Sequence, residues 1–305
     1  MNTNDYWSPE VWAKINGVPG DKTQPGVLKT IMGPMRIAQH IFPTIVRGNN
    51  NSIAADIVDL KTGIPSTGQT KGVATILKSF SLFQAHIDDK PELTMAMNQV
   101  MLAAQSLALV EDALYFQGKN ARLPQGVTLQ QNDIDKLEDG LLGIAKKNKT
   151  IQVHPSKEKE SVGIYGSATY AAVVEGISFF SANSQGMPYA LILEPDMYAD
   201  ANVPLEDSSI ITPASAIQAL VEPGGFVMSP GLPPKTGLLV SLGGQTTTLY
   251  VGTEPVIEPN TYANGIYTLD ARESIQFHNI DPRSLIKLEF VDRKSEQTGA
   301  AEAKK

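Results

Sequence analysis

The 305-residue chain contains no cysteine, which excludes disulfides, thiolate nucleophiles, cysteine-ligated zinc and iron–sulfur clusters. Its four histidines, His40, His86, His154 and His278, lie far apart in the sequence, so no closely spaced pair of metal ligands is present. We therefore predict neither a resident metal ion nor another cofactor.

Basic segments and long apolar runs are also missing. Charged residues make up 19% of the chain, the net charge is -7, and lysine and arginine form no cluster that could bind a phosphate backbone. No uncharged apolar stretch approaches the roughly 18 residues of a membrane helix. Residues 1–10 lack the basic patch and apolar run of a secretory signal. These absences predict a cytoplasmic protein that binds neither nucleic acid nor membrane.

Enzymatic motifs are scarce. The phosphate-binding patterns GxGxxG and Walker and the nucleophile elbow GxSxG are absent. The best local cluster is His86, Asp88 and Asp89, which predicts, as one alternative, a hydrolase that would need a pocket with perturbed ionisation. The structural alternative is that two carboxylates just before Pro91 stabilise the start of a helix electrostatically. We expect no catalytic activity.

The chain is rich in apolar residues. They make up 42% of the sequence, which leaves room for contact surfaces between subunits. The β-prone segments 52–60 and 72–86 flank Lys61–Lys71, a stretch of turn formers, and predict a long two-stranded hairpin. Because such a ribbon is marginal alone in water, we expect its tip to contact another copy of the chain. The inter-subunit residues of this tip are Lys61, Ile64 and Lys71.

Two helices stand out. Pro91 opens a helix that ends near Gly118 and is apolar around most of its circumference, so it should be buried on several sides. A second helix runs from a Ser167 cap to about Asn183. Short β segments account for much of the rest: Thr150–Val153, Tyr189–Leu193, Ile210–Ile211, Gly237–Leu242, Thr246–Gly252, Ile266–Leu269, Ser274–His278 and Leu285–Phe290. The predicted fold class is α+β.

The first fifty residues are predicted to form an arm, broken repeatedly by glycine and proline. Ser8 can cap a short helix that carries Trp7, Val11, Trp12 and Ile15 on or near one face. Exposure of the chain's two tryptophans to water would be costly. These side chains therefore either dock on the protein's own body or bind a guest peptide.

An ordered series of motifs resembles encapsulin shell proteins, the linocin-type bacteriocin family. The sequence reads GLLVSLGGQTTTLYVGTEPVIE at residues 237–258 and ESIQFHNIDPRSLIKLEF at residues 273–290. Earlier motifs in the same order are VEDALYFQG at 110–118, GLL at 140–142, PYALIL at 188–193 and VPLE at 203–206. The resemblance covers roughly residues 72–290. The segment Ala121–Asp139 interrupts it, and the arm is only loosely similar.

This resemblance implies the Hong Kong phage 97-type capsid fold. Such a fold has an N-terminal arm, an extended β-hairpin loop, a peripheral domain with a long spine helix, and an axial domain. The implied limits are 1–48 for the arm, 49–86 for the extended loop, 87–187 completed by 263–290 for the peripheral domain, and 188–262 for the axial domain. Residues 291–305 are expected to form a disordered tail.

The resemblance also implies a function, namely a self-assembling icosahedral shell of a bacterial or archaeal nanocompartment. Such a shell would be a homo-oligomer that encloses cargo enzymes for iron storage or oxidative-stress defence. The implied partner is a cargo protein with a short targeting peptide, such as a ferritin-like protein or a haem peroxidase. The alternative within the same fold is a phage or prophage major capsid protein, which would need a positively charged interior to manage DNA.

Two sets of site residues follow from the resemblance. Trp7, Val11, Trp12 and Ile15 would help to form an apolar groove for the cargo peptide. The loop Ala199–Asn202 would line an opening at the five-fold axis, with Ala199, Asp200, Ala201 and Asn202 as its lining residues. The single carboxylate of this loop predicts an opening that favours cations over anions.

Overall fold

The fold is α+β, as the sequence predicts. The computed structural model describes residues 7–18, 23, 25–48, 51–58, 65–66, 68–88, 93–130, 133–156, 163–204 and 212–292. Its strands form two five-stranded sheets and two short two-stranded ribbons. The hydrophobic side chains gather into two cores, one that joins both sheets to the longest helix and one on the outer face of the second sheet.

The described residues contain nine α-helices. They are α1 (Pro9–Asn16), α2 (Val27–Met32), α3 (Ile37–Ile41), α4 (Gln84–Asp88), α5 (Thr94–Gln117), α6 (Gly140–Asn148), α7 (Gly166–Ala182), α8 (Pro195–Ala201) and α9 (Pro213–Val221). Short 3-10 turns occur at Gly33–Met35, Gly118–Asn120, Ile134–Leu137 and Pro282–Ser284.

The two long predicted helices are confirmed as α5 and α7. Pro91 lies outside the described residues, and α5 begins after Leu93. α7 begins one residue before the expected Ser167 cap. The helix has no side-chain cap at its first residues. The Asp200 carboxylate accepts hydrogen bonds from the backbone N–H groups of Ile164 and Tyr165, at 3.1 and 2.7 Å, just ahead of the helix. This tertiary contact ties the segment before α7 to Asp200.

Fourteen strands lie within the described residues. They are β1 (Thr44–Val46), β2 (Ser52–Ala54), β3 (Ile57–Val58), β4 (Pro65–Ser66), β5 (Thr70–Gly72), β6 (Ala74–Phe83), β7 (Val127–Leu129), β8 (Thr150–Val153), β9 (Tyr189–Leu193), β10 (Phe226–Met228), β11 (Thr236–Ser241), β12 (Thr247–Ala263), β13 (Ile266–Asn279) and β14 (Leu285–Phe290). The predicted strand Ile210–Ile211 lies outside the described residues.

The first sheet has the order β1-β12-β13-β6-β7. Its centre is the antiparallel pair β12 and β13, and β6 runs antiparallel to β13. The sequence predicts three separate short strands in this region, and the structure corrects this to two long ones. Pro255 and Pro259 suggest strand breaks, but the pairing register shifts between Thr253 and Val256 and again after Pro259. Bulges of this kind accommodate proline within a continuous strand.

The second sheet has the order β10-β9-β11-β14-β8. Every residue of β9 and β11 is buried, because helices cover one face and the large core covers the other. Along β9, Ala190 and Ile192 face the core shared with α5, whereas Leu191 and Leu193 face α7 and α9. This strict alternation explains why β9 reads in the sequence as an uninterrupted apolar run.

Each five-stranded sheet combines strands from both the predicted peripheral domain and the predicted axial domain. β12, which falls mostly within 188–262, pairs with β13 in the first sheet. β14, which was assigned by sequence to the completion of the peripheral domain, pairs with β11 in the second sheet. The long-range strand pairing therefore groups residues differently from a division by sequence position.

The structure confirms a hairpin but corrects its second strand. β2 pairs antiparallel with β5, and β3 pairs antiparallel with β4, so the returning strands lie mainly within the predicted tip 61–71. The predicted second strand, β6, pairs with β13 in the first sheet instead. The two ribbons are two or three residues long and lead directly into β6. The hairpin is therefore a narrow extension from the first sheet.

Candidate assembly and cargo surfaces

The extended hairpin is the first candidate surface. Gly68, Gln69 and Thr70 on its returning side are exposed. Lys71, by contrast, is bound within its own subunit, since its ammonium group lies 3.0 Å from the Glu138 carboxylate and 5.7 Å from the centre of the Phe277 ring. The other two predicted contact residues, Lys61 and Ile64, lie outside the described residues. The described hairpin thus combines an exposed outer part with an anchored base.

The N-terminal helix α1 is packed on the body of the subunit. The rings of Trp7 and Trp12 meet edge to face with centroids 5.1 Å apart, and the two residues are 2% and 8% exposed. Ile15 is fully buried, and Val11 packs against the same core while partly exposed. The Asn16 side chain donates to the Ile257 carbonyl at 3.0 Å and accepts from its N–H at 2.9 Å. That pair of bonds ties the helix to β12.

A buried charged cluster joins the arm, α5 and β13, and sequence reasoning misses it. The Arg36 guanidinium lies 2.9 Å from Glu111 Oε2 and 2.6 Å from Glu273 Oε1, and both carboxylate side chains are fully buried. Beside them, the Asp112 carboxylate accepts the first two backbone N–H groups of α3, each at 2.9 Å. The only sequence signal is a pair of acids within an otherwise apolar helix. The cluster fixes the arm to the spine helix.

Burial dominates the protonation of this cluster. Loss of water, together with the nearby Glu111 charge, raises the pKa of Asp112 to about 8 against the opposing effect of its two backbone hydrogen bonds. Burial and the Glu111 charge raise the pKa of Glu273 well above its ordinary value, with Arg36 opposing. Burial also raises the pKa of Glu111. Two buried acids thus share one guanidinium beside a third, and burial shifts all three towards their protonated forms.

The helix α5 leaves an apolar stripe uncovered by the described part of its own subunit. Met95, Leu102 and Leu109 recur every seven residues, so they lie on one face, and Leu102 is 55% exposed. Met101 adds to the stripe. At the carboxy-terminal end of the stripe, Leu109 also lines a groove of about 680 Å³. The other lining residues of this groove include Ala113, Gln117, Arg122, Leu123, Pro230 and Pro233. An apolar surface of this kind is typical of an interaction site.

The predicted pore residues lie on α8. The sequence prediction of a loop is wrong for Ala199, Asp200 and Ala201, which are helical, and Asn202 follows the helix end. The two carboxylate oxygens of Asp200 accept the backbone N–H groups of Ile164 and Tyr165, just before α7. This side chain therefore has a structural role. Ala201 is fully buried, whereas Ala199 and Asn202 are exposed.

In the alternative hydrolase cluster, the described residues His86 and Asp88 hydrogen-bond to different partners. The Nδ1 atom of His86 accepts the backbone N–H of Phe83 at 3.3 Å. The Asp88 carboxylate instead accepts the Gln84 amide at 2.9 and 3.1 Å. Asp89 lies outside the described residues.

Across the residues that the structure describes, we find no group of three or more histidine or acidic side chains placed to hold a metal ion. Within those ranges no helix has both the length and the apolar character needed to cross a membrane.

Comparison with solved structures defines the fold. A virus-like particle from Pyrococcus furiosus is similar with a TM-score of 0.60 and 14% identity, covering 86% of this chain and 98% of that one. The SrpI encapsulin complex from Synechococcus elongatus PCC 7942 gives 0.54 and 11%, covering 83% and 86%. The capsid of Myoviridae phage XM1 gives 0.53 and 10%, covering 84% and 92%. At these identities the likeness concerns the fold, and the fold is that of Hong Kong phage 97-type capsid shells.

A protein-family model also matches part of the chain. The model of the family described as an encapsulating protein for peroxidase matches residues 137–275. No curated protein matches the chain. The resemblance seen in the sequence is thereby supported, since part of the chain matches a family model of encapsulating proteins and its fold is that of such shells.

Proposed function

We propose that the chain assembles with copies of itself into a closed icosahedral shell in the cytoplasm, and that this shell encloses a cargo enzyme. The observation that carries the proposal is the uncovered apolar stripe of α5 in a subunit of this fold. A folded monomer would expose Met95, Leu102 and Leu109 together, and contiguous exposed apolar surface favours association. The narrow hairpin, marginal alone, offers a second surface for neighbours.

The cargo that the family description favours is a peroxidase. A ferritin-like protein for iron storage remains the second cargo class. We propose that α1 lies at the cargo contact, where Val11 is partly exposed. The contribution of Trp7, Trp12 and Ile15 would be indirect. Their side chains are buried in the subunit and would hold α1 in place for the cargo contact.

The exposed end of α8 is our proposed pore element. Ala199 and Asn202 are its accessible residues. Because both carboxylate oxygens of Asp200 accept backbone N–H groups just before α7, this side chain would be held in place and would not bind a passing ion directly. Its charge would still favour cations over anions.

The strand pairing supports a revised division of the fold. We propose that β1, β6, β7, β12 and β13 with α5 form the peripheral unit, and that the second sheet with α7, α8 and α9 forms the axial unit. The extended loop would be the hairpin β2 to β5.

Electron microscopy and light scattering of the purified full-length chain test the assembly. We expect closed particles of one size, and a monomer or dimer would contradict the proposal. Deletion of residues 61–71 should abolish closed particles while leaving the helical circular dichroism in place, because the spine helix and both sheets lie elsewhere. Normal particles from that deletion would show that the hairpin is not an assembly element.

The contents of the particles distinguish a compartment from a phage capsid. Particles from the source cells are treated with protease and nuclease and then opened. A protected enzyme supports the cargo function, whereas protected DNA supports the capsid alternative. The net charge of -7 favours the former, since an acidic chain repels a phosphate backbone.

A further inference from the structure

The segment 121–139, here called the insert, interrupts the family resemblance and contacts the base of the extended hairpin. Its strand β7 pairs antiparallel with β6 over Ile76–Lys78 and Val127–Leu129. The insert therefore lies along the strand into which the hairpin leads.

Side chains of the insert bind the backbone of the hairpin base. The buried Asp133 carboxylate accepts the Thr75 N–H at 2.7 Å. The Lys136 ammonium group donates to the Val73 carbonyl at 3.0 Å and also pairs with Asp133. The Lys136 stem runs so close to Gly72 that a β-carbon there would lie 3.1 Å from its Cδ atom. Two side chains of the insert, those of Asp133 and Lys136, thus contact the chain over residues 72–75 at the base of the hairpin.

A buried amide completes the junction from the other side. Gln276 on β13 is 1% exposed, and its Nε2 atom donates to the Gly72 carbonyl at 2.6 Å and to the Lys136 carbonyl at 2.8 Å. Both amide hydrogens are therefore used, one on the hairpin and one on the insert. The Lys71–Glu138 ion pair spans the same two segments at 3.0 Å. Because Gln276 is buried, breaking its bonds would leave unsatisfied polar groups.

Because the junction lies at the base of the hairpin, a small rotation there displaces the outer end of the hairpin by a larger distance. The described hairpin from residue 52 to residue 58 is about 20 Å long at about 3.3 Å per residue, so a rotation of about 10° at its base moves the outer end by about 3.5 Å. Apolar contacts between side chains are lost over a displacement of that size. Small changes at the base would thus be large changes at the contact with a neighbour.

We propose that the insert is a positioning element that sets the direction of the extended hairpin and thereby the geometry of the assembled shell. The inference rests on the proposed function, in which the hairpin contacts neighbouring subunits. The acting groups are Asp133, Lys136 and Glu138 of the insert, with Gln276 as the buried bridge.

The test is the particle diameter in variants that break the junction but keep side-chain volume. Lys136→Met and Gln276→Met are made singly and together in the full-length chain, and Lys147→Met is the control. Lys147 is an exposed lysine that pairs with Asp139, at 2.7 Å, rather than with the hairpin. We expect the control to keep the single particle diameter. The double variant should lose it and give several diameters or open assemblies, as seen by cryo-electron microscopy.

The outcomes separate this inference from the proposed function. If the unaltered protein forms no closed particles, the proposed function fails. If it does form them and the folded double variant gives the same single diameter, the positioning role is overturned. Should the buried Gln276 change prevent folding, as judged by circular dichroism, Lys136→Met alone decides, because that side chain is partly exposed. An unchanged diameter in that folded variant refutes the inference equally.

Discussion

Removal of the Arg36 charge should destabilise the subunit in a strongly pH-dependent way. Arg36→Met keeps most of the side-chain volume but leaves Glu111 and Glu273 buried without their guanidinium, at contacts that are now 2.9 and 2.6 Å. Breaking a buried ion pair by removing one partner costs about 3–5 kcal/mol. The structure also shows how the molecule can limit that loss, namely by protonation of the acid.

The size of the destabilisation follows from the free-energy cost of this protonation. Burial raises the pKa of both Glu111 and Glu273, and the Arg36 charge opposes this in each case, so loss of Arg36 favours uptake of a proton by a glutamate of the pair that is still ionised. At about 1.4 kcal/mol per pH unit from an ordinary glutamate pKa of about 4.3, protonation costs about 4 kcal/mol at pH 7 and about 1 kcal/mol at pH 5. The variant should therefore be severely destabilised at neutral pH and nearly normal in mild acid.

Urea unfolding followed by tryptophan fluorescence is the assay, because Trp7 and Trp12 are buried in the same core as the arm. Lys29→Met is the matched control, since the Lys29–Glu254 pair is an arm contact of 3.0 Å that lies at the surface. An exposed pair contributes about 0–1 kcal/mol. A loss in Arg36→Met that is equal at pH 5 and pH 7, or no greater than in the control, would refute the reasoning.

Two further predictions concern pH and cargo. Acids with a raised folded-state pKa bind more protons folded than unfolded, so stability falls as pH rises from about 5 towards the pKa of about 8 of Asp112. Glu273→Gln removes one such acid but keeps an oxygen for Arg36. Its melting temperature should therefore fall less between pH 5 and pH 8 than that of the unaltered protein, and an identical slope would contradict the assignment. Trp12→Ala should leave closed particles intact but reduce co-purified cargo, measured by gel densitometry of particles. If particles fail to form instead, Trp12 serves the subunit core alone.

The sequence by itself determined the elements whose signals are local. The periodicity of α5 and α7 and the apolar run of β9 depend on near neighbours in the chain, and each of these elements appears within a few residues of its predicted limits. The ordered motifs of residues 110–290 likewise carry the resemblance to shell proteins that the family model and the fold support.

Only the tertiary structure decided which distant groups meet. Arg36 and Glu273 are 237 positions apart, and no periodicity links them. Asp200 appears in the sequence as a free carboxylate, yet it binds the backbone just before α7. Residues 121–139 appear as a polar insertion, yet Lys136 and Gln276 lock the hairpin base. The physical reason is that hydrogen bonds and ion pairs act over about 3 Å of space, and chain folding alone sets which groups come within that distance.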